Sequence, residues 1–157
     1  MGRSQESAKI TPKANLILAS GSQSRKEMLE EAGIAFDVVV SSANEEFIKS
    51  KIASLKFEEQ VVHLAKAKAE KVSFDNPSSV VIGGDQMCVL DNKLLHKPGS
   101  KEKAVASLKQ LAGQKHFQHS GVCLFKNKKC VWEYSETVAL KMHDLSEEEI
   151  INLSLIH

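Results

Sequence analysis

The run Leu16-Ile17-Leu18-Ala19, followed at once by Ser20-Gly21-Ser22, constrains this chain more than any other stretch. Four consecutive apolar residues are too few for a helix and read as a buried strand. The small, hydroxyl-rich turn gives way to a helix over Gln23–Ala32, with Met28 and Leu29 facing inward and Gly33 just past its end. The alternation continues. Phe36–Val40 reads as a second strand and Ser41–Glu46 as a polar turn. Phe57–Val72 reads as a long amphipathic helix with the stripe Phe57, Val61, Leu64, Ala65, Ala69 and Val72. Val80-Val81-Ile82 is a third buried strand leading into Gly83-Gly84-Asp85-Gln86, and Met87–Leu90 stays extended. Asp91-Asn92 predicts a hairpin turn before Leu94-Leu95. Ser100 predicts the N-cap of a helix whose apolar face is Ala104, Val105, Leu108, Leu111 and Ala112. Residues 115–126 and 130–142 predict a long hairpin around Asn127-Lys128-Lys129, its second arm alternating Trp132, Tyr134, Val138, Leu140 and Met142. Ser146 and Glu149 have capping-box spacing at the start of a last helix. Early strand–helix alternation followed by a hairpin predicts an α/β fold: a mixed sheet with flanking helices. The expected organisation is a flexible lead-in over residues 1–15 and one domain over 16–157.

Composition narrows the partners. A chain of 157 residues can build one domain without a metal or disulfide staple. The net charge is +1 and aromatics are only 5%. That leaves no basic footprint for nucleic acid, no polybasic membrane patch and no base-stacking platform. No apolar run approaches the ~20 residues of a membrane helix, and the polar N-terminus lacks a signal-peptide apolar core. Cys88, Cys123 and Cys130 are odd in number and have no CxxC spacing. They predict reduced thiols, a cytoplasmic setting and no zinc site. A small mobile substrate fits this chain better than a polymer.

Several segments have the residue types that phosphate chemistry needs. In Ser20-Gly21-Ser22-Gln23-Ser24-Arg25, a small turn at a helix N-terminus offers backbone N–H groups and hydroxyls to an anion, and Arg25 offers a bidentate fork. The competing reading makes Ser22 a simple helix cap and Arg25 a surface residue. Asp85 follows a buried strand and two glycines, which permit close approach of a backbone or ligand. Such strand ends collect ligands in α/β sheets. The alternative is a strand-ending turn in which Asp85 is a local acceptor. Glu45, in Glu45-Glu46, could meet Asp85 and hold Mg²⁺ between protein and phosphates, or could be a surface acid. Lys66, Lys68 and Lys97 are candidate phosphate point charges among many surface lysines. His116 and His119 are three apart in a strand and point to opposite faces, so they cannot share one metal. The P-loop pattern and GxSxG are absent.

Together these segments resemble the Maf family of nucleoside triphosphate pyrophosphatases, from Leu16 to about Ile150. The family's LASxSPRRxxLL-like opening is similar to Leu18-Ala19-Ser20-Gly21-Ser22-Gln23-Ser24-Arg25-Lys26-Glu27-Met28-Leu29. Its acidic DE corresponds to Asn44-Glu45, its LAxxKA to Leu64–Ala69 and its IGxD to Ile82–Asp85. Its GKP corresponds to His96-Lys97-Pro98, and its GxxHxxxTGV to Gly113 through His116 to Ser120-Gly121-Val122. The resemblance implies two lobes around a central cleft and cleavage of a nucleoside triphosphate to monophosphate and pyrophosphate. It implies that Asp85 is the general base and that Glu45 and Asp85 hold Mg²⁺ or another divalent cation such as Mn²⁺. It implies that Ser20, Ser22, Arg25, Lys68 and Lys97 grip the triphosphate. Gln86 after Asp85 resembles the branch acting on 7-methyl-GTP, while Ser24, at the second specificity position, matches neither branch. Gln23 replaces the opening proline and Asn44 the first acid of DE. The family continues past its LSEEEI helix with a KAGxYxIQG-like stretch, so a shortened member is expected here. That shortening motivates an alternative, a catalytically weak nucleotide-binding or division-linked regulatory protein. A sheet edge left uncovered would favour a homodimer.

Overall fold

The structure, a computed structural model, describes residues 15–95, 100–141, 146 and 148–149. Nearly all of the expected lead-in, the His96–Gly99 segment with Lys97, Met142 and the residues after Glu149 lie outside the described residues.

The elements run β1 (Leu16–Leu18), α1 (Gln23–Glu31), β2 (Asp37–Val38), α2 (Glu45–Ile52), α3 (Phe57–Asp75) and β3 (Val80–Leu90). They continue with β4 (Lys93–Leu95), α4 (Lys101–Leu111), β5 (Lys115–Lys126) and β6 (Lys129–Lys141). The sheet order is β2-β1-β3-β5-β6, with β4 paired to β3. β1 runs parallel to β2 and β3, with Ile17 opposite both Asp37 and Val81. β4 is antiparallel to β3, pairing Cys88 with Leu95. The sheet is therefore mixed, as expected of an α/β chain. No described helix is long and apolar enough to cross a membrane.

The chain divides into two compact units, Met1–Asp85 with Ser120–Ser135, and Gln86–His119 with Glu136–His157. The core of the first unit is Ile17, Ala19, Ala65, Ala69, Val72, Val81, Cys123 and Phe125. Two glycines decide how α3 meets its strands. A methyl group on Gly83 would strike the Ala65 carbonyl oxygen and lie 2.8 Å from Ala69 Cβ. One on Gly121 would lie 2.7–2.8 Å from the backbone of Val61 and Val62. Val61 and Ala65 are one helical turn apart, so α3 lies against two strands along one face. Cys123 packs into the same contact, and burial pushes its thiol up to about 12, leaving it protonated. Buried Ser73 on α3 accepts the Lys128 N–H at 3.0 Å, fixing the β5–β6 turn, where Asn127 and Lys128 both have positive φ.

In the second unit the Asp91-Asn92 turn is left-handed at both residues, as its hairpin requires. Ser100 caps α4 by accepting the Lys103 N–H at 3.2 Å. His119 Nδ1 lies 2.8 Å from Thr137 Oγ1, whereas the buried His116 Nδ1 has no hydrogen-bond partner among the described residues. Ser146 and Glu149 form the reciprocal capping box, and those bonds hold the Glu149 carboxyl below its ordinary range.

The structure corrects four sequence expectations. Met28 faces solvent at 65% exposure, because Arg25 and Leu29 share the inward side of α1 and Met28 sits a third of a turn away. β2 is only two residues long because its partner β1 has three, although Val39 adds a bond to the Leu18 carbonyl. The supposed turn ending at Glu46 already contains the start of α2, capped by Asn44, with Glu45 and Glu46 in its first turn and Lys49 and Lys51 in its last. β3 does not stop at its glycines. It runs unbroken through Asp85 to Leu90.

Replacing Gly83 with alanine sets a methyl group against helix backbone that cannot rotate away. Overpacking of this kind costs roughly 3 kcal/mol. Urea unfolding of Gly83→Ala should show that loss as a lower midpoint, and a midpoint equal to that of the parent chain would contradict the close approach.

Candidate active site

β1 lies between β2 and β3. The chain leaves β1 through α1 to reach β2 on one side, then passes through α2 and α3 to β3 on the other. Loops thus diverge at the carboxyl end of β1, the position where open α/β sheets bind ligands. Ser20 emerges there, just after the Ala19 N–H bonds the Ile82 carbonyl at 2.8 Å.

Ser20 is buried, and its Oγ accepts the Ser22 N–H at 3.1 Å and Arg25 Nη1 at 3.0 Å. Ser22 is the N-cap of α1; its Oγ accepts the Arg25 N–H at 3.3 Å and lies 3.1 Å from Ser24 Oγ. The two readings of this turn are therefore compatible. Ser22 caps the helix, and the same geometry draws Arg25 in over Ser20. A Cβ on Gly84 would lie 2.8 Å from Arg25 Nε and 3.3 Å from Cζ, so the guanidinium rests on bare strand backbone. Burial lowers the Arg25 pKa and the Asp85 charge opposes that shift, leaving a charged guanidinium.

Successive residues of β3 face opposite ways. Gly83 faces α3, Gly84 faces Arg25, and Asp85 turns back toward α3. There Lys68 Nζ bonds Asp85 Oδ1 at 3.1 Å. The same ammonium lies 3.5 Å from Glu45 Oε2. Lys68 and Asp85 side chains are mostly buried, while Glu45 is 45% exposed. Glu45 opens α2, where the helix dipole suits an anion. Lys66 points away and bonds Glu133 at 2.9 Å, and that hydrogen bond raises its pKa.

The fold therefore brings together Ser20, Ser22, Ser24, Arg25, Glu45, Lys68 and Asp85. Gln86 is exposed and points to the face of β3 opposite Asp85. Lys97 lies outside the described residues. The cap that Asn44 gives α2 and the seat that Gly84 offers Arg25 are not among the sequence expectations. The Gly-Gly pair was the available signal for the second.

Two carboxylates that converge on one ammonium suit a divalent cation. Among the described residues no group of three His, Cys, Asp or Glu could hold a metal ion. Glu45 and Asp85 would supply two oxygens, and the remaining ligands would come from phosphate and water, the usual arrangement for Mg²⁺.

The profile of the Maf-like protein family matches residues 15–154. The chain belongs to the Maf-like family. A relative from Legionella pneumophila strain Philadelphia 1, named nucleoside triphosphate pyrophosphatase, is 38% identical over 143 residues, covering 91% of this chain and 72% of its own length. A relative of the same name from Maricaulis maris is 38% identical over 131 residues, covering 83% and 67%. Among solved structures, the Staphylococcus aureus Ham1 protein aligns with a TM-score of 0.51 at 14% identity, over 83% of this chain and 72% of that one. That likeness concerns the fold alone. In this Maf-like chain the matched segments supply all seven residues of the cluster.

The seat for Arg25 is testable with inorganic triphosphate as a simple anion. Gly84→Ala should push the guanidinium off Ser20 and weaken binding about tenfold by calorimetry, the scale of one charge-assisted hydrogen bond. Arg25→Ala should weaken it at least as much. Unchanged affinity in Gly84→Ala would show that Arg25 needs no such seat.

Proposed function

We propose that this chain hydrolyses a nucleoside triphosphate to the monophosphate and pyrophosphate. The observation that carries the reading is Asp85. Its carboxylate bonds Lys68 at 3.1 Å and feels the charge of Arg25, which lies over the adjacent Gly84. A water-activating acid flanked by cations suits phosphoryl chemistry, where charge neutralisation and positioning matter more than covalent help. The names of the relatives support the same reaction.

In this mechanism the triphosphate enters at the carboxyl end of β1. Arg25 and the Ser20 and Ser22 hydroxyls hold phosphate oxygens, with Arg25 in bidentate geometry. Lys68 supplies a point charge, and Lys97 a second one. Asp85 orients a water with one carboxylate oxygen and accepts its proton as the bond to phosphorus forms. Pyrophosphate leaves as the phosphoanhydride bond breaks. Glu45 and Asp85 would hold Mg²⁺ or Mn²⁺, which would neutralise phosphate charge when bound.

For the base, Gln86 after Asp85 supports a modified purine nucleotide such as 7-methyl-GTP, in a cytoplasmic house-cleaning role. The test is pyrophosphate release from canonical and methylated nucleoside triphosphates with Mg²⁺. The methylated guanosine substrate should turn over fastest, and Asp85→Asn should lose about 100-fold or more. Equal turnover by Asp85→Asn would overturn the mechanism. Thermal stabilisation by nucleotide without any turnover would instead support a binding and regulatory role.

A further inference from the structure

Lys68 occupies the ground that the proposed function assigns to a metal ion. Its ammonium stands 3.1 Å from Asp85 Oδ1 and 3.5 Å from Glu45 Oε2. With Arg25 beside Asp85, two carboxylates face two cations, and the cluster is electrically balanced. A dication added to this arrangement would meet Lys68 at close range with no new negative charge to offset it. Nor does the protein offer many more ligands, since the described residues hold no third carboxylate, histidine or cysteine for such a site.

A triphosphate changes this balance. It brings several negative charges and the oxygens that Mg²⁺ prefers to share with one or two carboxylates. Lys68 can follow the phosphates. Its backbone is fixed because α3 rests on Gly83 and Gly121, whereas its four-carbon stem is flexible and its charge is a compact point. Only Nζ needs to move.

We propose that Lys68 is a built-in counter-ion that holds Glu45 and Asp85 in place of the metal until a nucleotide arrives. Metal and triphosphate then enter as a unit, and Nζ passes from the carboxylates to phosphate oxygens. The protein discriminates against free divalent cations and so avoids trapping them unproductively. This inference rests on the reading that Glu45 and Asp85 are the metal-holding pair.

The experiment follows Mn²⁺ binding to the full chain by electron paramagnetic resonance, with and without a nucleoside triphosphate analogue carrying a methylene bridge between its α and β phosphorus atoms. The parent chain should bind Mn²⁺ alone weakly and at least tenfold more tightly with the analogue. Lys68→Met should bind Mn²⁺ alone about tenfold more tightly than the parent. Its gain on adding the analogue should shrink. Circular dichroism checks that the variant is folded. The parent chain needs no such check, and Mn²⁺ binding to it that is equally tight with and without the analogue would overturn the proposal. So would a folded Lys68→Met with no gain in affinity for Mn²⁺ alone. Adding Asp85→Asn to Lys68→Met separates the two layers. Loss of the extra site supports the proposal, whereas its persistence places the ion elsewhere and overturns the metal assignment with it. Pyrophosphate release by the parent chain, measured independently, shows whether the hydrolytic reading stands when the counter-ion role fails.

Discussion

A glycine in each of two neighbouring strands lets α3 lie with its backbone against the backbone of the sheet. Gly83 in β3 meets Ala65 and Ala69, and Gly121 in β5 meets Val61 and Val62. Any side chain at either place would lift the helix by part of a methyl diameter. The rest of the first unit depends on that approach. Val61, Leu64, Ala65 and Ala69 are fully buried because the gap is closed. Lys68, next along the same face, reaches Asp85 because its helix axis is held close and Asp85 comes two residues after the glycine. Packing and chemistry are thus set by one contact.

The second dependence is electrostatic. Arg25 is a half-buried and Lys68 a mostly buried cation, from two helices, and Asp85 is the carboxylate between them. The surface pair Lys66–Glu133 is a useful contrast. It is shorter, at 2.9 Å, but both partners are well exposed, so solvent screens it and its contribution to stability is small. The pair Lys68–Asp85 is largely withdrawn from water, where loss of one partner leaves an uncompensated charge. Such a cluster stays poised only while its charges balance. In the proposed counter-ion role, the same balance responds to the arrival of an anion and a cation together.

Much of this was legible in the residues. Short apolar runs marked β1 and β3, and the long stripe marked α3, because burial on one side imposes a period that sequence displays. Ser22, Ser100 and Ser146 marked helix starts, since a cap needs a short side-chain acceptor. Ser20, Arg25, Lys68, Asp85 and Glu45 stood in matched segments, and the fold brings them together. Other features were hidden for identifiable reasons. α2 is hidden because its first residues are acidic and polar, which suits a helix N-terminus as well as a turn. The Gly-Gly pair read equally as a strand end, because a glycine needed for space and one needed for a turn look alike in sequence. The facing of Met28 is not legible because a nine-residue helix with no buried side chain has too weak a pattern to fix its rotation. The opposite orientations of Asp85 and Gln86 follow from the continuation of β3 through both.

The proposed hydrolysis breaks the phosphoanhydride bond between the α and β phosphorus atoms of the nucleotide. Phosphorus-31 nuclear magnetic resonance of the parent chain turning over a nucleoside triphosphate with Mg²⁺ reads the products directly. The expected products are nucleoside monophosphate and pyrophosphate in equal amounts from the first turnover. Nucleoside diphosphate with orthophosphate would contradict it.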